Sequence, residues 1–292
     1  MNEGILPGFT EALRRAGAKE VIYYQSGVFN VTPDMKAIWV EGYSGGSSGS
    51  SGAGTGTTNS GPGGAGANVV LAYCSNPRLL PSIIQVVIGS GGAKVTGTSG
   101  ARTNGNVGGT TSFGSYISIP GGGAPSGNNG GSPGAAATIS SPFTSVLNLQ
   151  GAAGANTQAT PSAGSSTTNG APAGGGAGES DTNNAGSNGG NSVNGTLSAT
   201  GSTGAASNAA GTGANASKGQ DGTFLAASNS ASAIGCSGGG GAGGGSGGAG
   251  DGGDGGEGGF PGGGGGGGGY GTATGGDGAK GGDGVMRVWY IV

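Results

Sequence analysis

Residues 251–292 read DGGDGGEGGFPGGGGGGGGYGTATGGDGAKGGDGVMRVWYIV. Asp251, Asp254, Glu257 and Phe260 fall on every third position with glycine pairs between them, and Asp277, Lys280 and Asp283 repeat the spacing. Period three matches a polyproline II-type helix, which has three residues per turn and a rise of about 3.1 Å, so every third side chain lies on one face about 9 Å from the next. Such a helix has no internal hydrogen bonds, and its N–H and C=O groups must find water or a neighbouring segment. Two glycines per triplet leave two faces bare. Bare faces let neighbours approach and exchange backbone hydrogen bonds, which predicts polyglycine II-like packing; the competing expectation is an unstructured glycine-rich linker. Collagen is the poorer fit, because it keeps one glycine per triplet with much proline and this array holds only Pro261.

Residues 235–284 would extend about 150 Å if straight, so the array is expected to double back, with Phe260-Pro261 and Tyr270-Gly271 as turn markers. It ends in the octet 285–292, VMRVWYIV, the most hydrophobic in the chain. That octet is expected to close a sheet as the last strand, since a free apolar terminus invites aggregation.

Working outward, glycine supplies 81 of 292 residues while only 8% are charged and 32% hydrophobic, so a large conventional core is not expected. Net charge is −3, which is too small for a charge-driven disordered chain and gives no basic footprint for nucleic acid. Residues 9–18 (FTEALRRAGA) predict a short amphipathic helix with Thr10 as N-cap and Gly17 as stop. So short a helix must dock on the adjacent sheet or on a neighbouring protein. Runs at 21–29 and 35–43, rich in β-branched and aromatic residues, predict a hairpin around 30–34. Further β-like runs stand at 68–73, 82–88 and 112–119, with apolar islands at Ile139, 143–149 and Phe224-Leu225.

The fold expected is all-β with long glycine-rich insertions, a small split β-sheet module in which the first strands pair with the last. Its parts are a helical docking segment (1–20), a β module (21–120) with a glycine-rich loop at 44–67, a Ser/Thr/Ala/Asn/Gly-rich extended region (121–234), the glycine-triplet array (235–284) and the closing strand (285–292).

Chemistry has little to work with. The chain has no histidine, so no Ser-His-Asp or Cys-His arrangement can be built, and no lysine is followed by Ser or Thr as a P-loop requires. Cys74 and Cys236 cannot make a zinc site by themselves. The carboxylate row is expected to be a solvated, solubilising face rather than a catalytic pair or a calcium site, because Glu257 and Lys280 stand where a calcium-binding nonapeptide would place Asp. No enzyme activity, cofactor or metal is expected. The start Met1-Asn2-Glu3-Gly4 does not resemble a secretory signal, and the apolar run 79–88 is about half a membrane span, so neither export nor membrane insertion is expected. The sequons at Asn30, Asn194 and Asn215 are expected by chance in so Asn/Thr/Ser-rich a chain. Phe260 and Tyr270 are the candidate aromatics for contact with a receptor or glycan, although packing between glycine helices is the expectation that ranks first for both rings.

In order along the chain, Gly27-Val28-Phe29-Asn30-Val31-Thr32-Pro33-Asp34 with the following 35–42 strand, Val86-Val87-Ile88-Gly89-Ser90-Gly91-Gly92, the stretch GGTTSFG at 108–114, and the array closed by Gly284-Val285-Met286-Arg287-Val288-Trp289-Tyr290 resemble the glycine-rich domain of bacteriophage tail-fibre and tail-tip proteins. The resemblance spans about 21–292. It implies a structural virion component, assembled in the host cytoplasm, that forms or tips a tail fibre. It also implies a homo-oligomer, such as a trimer, with other virion proteins and a host surface glycan or outer-membrane protein as partners. A capsid or tail decoration protein without host binding and a non-viral ice-binding glycine bundle are the alternatives. The Ala/Thr-rich stretch 121–233 departs from a plain glycine array.

Overall fold

A computed structural model of the chain describes residues 9–54, 60–157, 163–168, 171–178, 185–194, 197–199, 213–221, 244 and 250–292. Phe224-Leu225, Cys236 and most of 235–249 lie outside the described residues, as does much of 158–212.

Among the described residues the fold is all-β apart from one short helix, α1 (Phe9–Arg15), and a 3₁₀ turn at Pro77–Leu79. One antiparallel sheet contains β1 (Lys19–Tyr23), β3 (Ala37–Tyr43), β4 (Val69–Cys74), β9 (Thr144–Leu149) and β12 (Val285–Ile291), in the order β1-β12-β3-β4-β9. A second contains β2 (Gly27–Asn30), β5 (Ile83–Val87), β6 (Thr111–Phe113), β7 (Ile117–Ile119) and β8 (Thr138–Ile139), in chain order. A separate ribbon pairs β10 (Ser192–Asn194) with β11 (Leu197–Ala199).

Alternation builds the sandwich. Ile38, Val40, Val70, Ala72, Met286 and Val288 of the first sheet meet Phe29, Ile84, Val86, Phe113, Ile117 and Ile119 of the second in one buried core. Phe113 sits at its centre, 5.6 Å from the Phe29 ring and 5.7 Å edge-on to Phe143. On the outer face Leu13 of α1 packs against Leu71 and Trp289, with Trp39 and Leu147 alongside. The closing strand therefore has both faces covered, and this accounts for its nearly unbroken apolar run. The last strand does pair with the first ones, and β12 lies between β1 and β3 with Val288 opposite both Val21 and Val40.

Three local expectations are corrected. The runs at 21–29 and 35–43 do not form a hairpin, because β12 inserts between β1 and β3 while β2 crosses to the other sheet and pairs with β5. The 112–119 run is itself a hairpin, since Gly114 at φ +53° lets the chain turn between β6 and β7. Thr10 lies inside α1 rather than capping it, whereas Gly17 at φ +77° does terminate the helix.

The register places the glycine-rich segments at one end of the sandwich. β3, β5, β7 and β9 leave there, while β4, β6, β8 and β12 enter, as the pairs Tyr43↔Val69, Tyr43↔Val285, Val69↔Leu149 and Thr111↔Ile119 require. At this end the Thr111 hydroxyl donates to the Tyr43 carbonyl at 2.8 Å and accepts from the Gly89 N–H at 2.9 Å, joining the two sheets.

Candidate functional site

Beyond that end the glycine-rich segments run beside one another and are joined by backbone hydrogen bonds. In 44–54, Gly45, Ser48, Ser51 and Gly54 donate to the carbonyls of Gly109, Asn106, Thr103 and Gly100. Gly46, Gly49 and Gly52 donate to Gly282, Ala279 and Gly276, and Ser47 and Ser50 to Ala65 and Pro62. Each partner number falls by three as the donor number rises by three, so three antiparallel neighbours are served in rotation. No ribbon of period two can do this, because its successive groups alternate between two sides only.

The stretch 262–271 is buried throughout. Gly265, Gly268 and Gly271 donate to Ser47, Ser50 and Ala53, Gly264 and Gly267 to Ala173 and Gly176, and Gly263, Gly266 and Gly269 to Gly259, Gly256 and Gly253. Its carbonyls accept from Gly61, Gly64 and Ala67, from Gly276, Ala279 and Gly282, and from Gly244. At Gly268 an added Cβ would stand 2.0 Å from the Gly276 carbonyl oxygen, which is backbone and cannot swing away. The array folds back at Phe260–Gly262 and again around Thr272-Ala273, so 250–259, 263–270 and 274–284 run side by side.

Side chains complete the pattern where a neighbour has no carbonyl to offer. The hydroxyls of Ser47, Ser48, Ser50 and Ser51, all buried, accept the N–H groups of Ala65, Asn106, Gly105 and Thr103 at 2.7, 2.7, 3.0 and 2.9 Å. Nothing in the 44–54 sequence distinguishes these serines from linker serines; the run Ser-Ser-Gly-Ser-Ser was the available signal.

The carboxylate row corrects the expectation of a merely solvated face. Asp277 and Asp283 accept the N–H groups of Gly97 and Gly91 at 2.7 and 2.8 Å, and Asp254 accepts that of Asp277 at 2.8 Å. Lys94 lies 2.5 Å from Asp277 and 3.8 Å from Asp254, and its hydrogen bond to Asp277 raises its ammonium above the ordinary lysine range. Lys280 pairs with Asp283 at 2.7 Å. These carboxylates close the edge of the array, whereas Asp251 and Glu257 stay exposed.

Of the two candidate contact aromatics, Tyr270 is buried at 7% exposure, in keeping with packing rather than with surface contact. Phe260 is half-buried against Tyr43, Val69, Ala171 and Val285, with its ring 6.1 Å from that of Tyr24. It stands at the turn nearest the sandwich, since Gly262 donates to Asp283 and accepts from Ala67. The turns around Ser99-Gly100 and Thr272-Ala273 lie at the opposite end, where Gly54 donates to Gly100 and Gly275 to Thr98.

Among the described residues no group of three or more Cys, Asp and Glu side chains is placed to hold a metal ion. Cys74 is a free thiol buried in the sandwich core, and burial raises its pKa. No described helix is long and apolar enough to cross a membrane. No protein-family model matches the chain, and no curated protein matches its sequence.

Proposed function

We propose that the protein is a structural component of a bacteriophage virion that forms or tips a tail fibre, its glycine segments being polyglycine II-type helices held on a β-sandwich base. The observation that carries the scaffold role is the rotation of donors in 44–54 through three neighbours with a three-residue repeat. That is the hydrogen bonding expected of threefold helices without internal bonds. Backbone bonds of this kind give stiffness without a large apolar core. The viral assignment is supported by the resemblance of 27–42, 86–92, 108–114 and 284–290 to the phage domain.

On this reading the partners are other virion proteins and further copies of the chain. A host glycan or outer-membrane protein meets the turns farthest from the sandwich, 99–100 and 272–273, and the buried Tyr270 takes no part. The test is mass spectrometry of purified virions from the source, followed by adsorption of particles lacking the protein. Its presence in virions together with impaired adsorption supports a fibre or tip role. Presence with normal adsorption points to decoration instead, and absence from virions rejects the viral role.

A further inference from the structure

The sandwich end opposite the glycine segments carries a groove that the scaffold role does not use. A depression of about 480 Å³ is lined by Asp34, Met35, Lys36, Asn76 and Arg78. It adjoins a second of about 230 Å³ lined by Val31, Pro33, Arg78 and Leu80, and both share the wall made by Pro77 and Arg78. Pro77 is buried and the 3₁₀ turn is closed by the Leu80 N–H donating to the Pro77 carbonyl at 3.0 Å, so this wall is fixed.

Charge and apolar surface coincide here. Lys36 and Arg78 are exposed on the lining, with the Lys36 ammonium 3.1 Å from the Val292 carbonyl. Arg78 has no ion-pair partner among the described residues. Asp34 is the one acidic side chain on the lining, which Val292 also joins, and its carboxyl is held below the usual range by a hydrogen bond from Thr32, with Lys19 and Lys36 close enough to add to the effect. Leu79 projects beside the groove with 64% of its surface exposed. At the other end of the molecule Lys94 and Lys280 pair with Asp277 and Asp283, whereas Asp251 and Glu257 stay exposed.

We infer that this groove is a docking site for an acidic peptide segment of another protein, one that presents carboxylates to Lys36 and Arg78 and an apolar side chain to Pro77, Leu79 and Leu80. Two exposed cations against one acidic side chain, beside apolar Pro77, Leu79 and Leu80, fit that chemistry, and complementary charge of this kind governs selection and encounter. The inference stands whether or not the chain is a virion protein.

The probe is a fluorescein-labelled peptide alternating glutamate and leucine, with a lysine–leucine peptide as control, titrated by anisotropy against the full chain. The glutamate peptide is expected to bind, and to bind roughly tenfold more weakly to the Lys36→Glu, Arg78→Glu double variant, with binding unchanged by Lys218→Glu in the segment beside the array. Raising the salt weakens it further. Arg78→Gln, which is less disruptive, moves the affinity in the same direction, and circular dichroism verifies the fold of each variant. Equal binding of the lysine peptide, or equal weakening by Lys218→Glu, overturns the inference. So does a charge-reversal effect seen only with phosphatidylglycerol vesicles or duplex DNA.

Discussion

Val95 and Gly278 exchange both of their backbone hydrogen bonds, the Val95 N–H reaching the Gly278 carbonyl at 2.9 Å and the Gly278 N–H reaching the Val95 carbonyl at 2.8 Å. The pair ties the segment that follows β5 to the one that precedes β12, and it belongs to a row in which Gly275, Gly278, Gly281 and Gly284 donate to Thr98, Val95, Gly92 and Gly89. Such contacts between distant parts of the chain hold the glycine segments together where apolar side chains are absent.

Amide hydrogen exchange tests this directly. Amides of 263–269, which donate to three different segments, are expected to exchange orders of magnitude more slowly than those of the exposed Ser99 and Gly100, because they open only with their neighbours. Uniformly fast exchange across 250–284 would reject the hydrogen-bonded arrangement and leave a tether in its place.

Glycine is required for space rather than flexibility within the array. Gly268→Ala drives a Cβ against the Gly276 carbonyl and is expected to cost at least about 1–3 kcal/mol. At Gly100 the nearest atom to an added Cβ is the Thr98 hydroxyl at 3.9 Å, so Gly100→Ala is expected to stay within about 0.5 kcal/mol of the parent. Denaturant midpoints of the two variants decide it, and similar values would contradict the packing.

Gly42 poses a softer version of the same constraint. Its Cβ would meet Ile119 Cδ1 at 2.6 Å and Met286 Cε at 3.4 Å, both ends of flexible side chains in the sandwich core. Gly42→Ala should therefore cost about 1–3 kcal/mol alone and measurably less when Ile119→Val removes the clashing methyl. A double-mutant cycle by urea unfolding measures that coupling; strict additivity would mean the contact is not made.

Cys74 is expected to resist modification in the native chain. Burial raises its pKa, so the thiolate fraction at pH 8 is smaller than for a free thiol, and access is blocked as well. In a Cys236→Ser background a thiol reagent should react slowly with native protein and promptly in denaturant. For a group whose folded pKa is raised, the stability it contributes is present below the unfolded pKa and lost as pH rises through the folded value. Tyr23, raised by burial and by Tyr290, acts in the same direction. The urea midpoint is thus expected to fall on going from pH 7 toward pH 10, and a rising midpoint would contradict both assignments.

The parts of this fold carried by local pattern were legible in the sequence. Proline marked the turn at Phe260-Pro261, and the dense apolar octet marked β12 as a strand that pairs with the first ones. What failed depended on partners far away in the chain. Nothing local to residues 21–29 says that β1 pairs with β12 while β2 pairs with β5. The role of Ser47, Ser48, Ser50 and Ser51 exists only because particular N–H groups of 65 and 103–106 face them, and the burial of Tyr270 depends on segments whose position no triplet encodes. The groove at Arg78 is assembled from 31–36, 75–82 and 292, three pieces that carry no shared motif.

The rotation of donors through three neighbours gives these segments something like a reading frame. Inserting one residue into 44–54 would turn every later N–H toward the wrong segment, so that donors meant for 276–282 would face 100–109 or 62–65 instead. Inserting three would restore every assignment one step farther out. Length in this part of the molecule is therefore quantised in threes, which on the proposed polyglycine II geometry means steps of about 9 Å when neighbouring segments lengthen together.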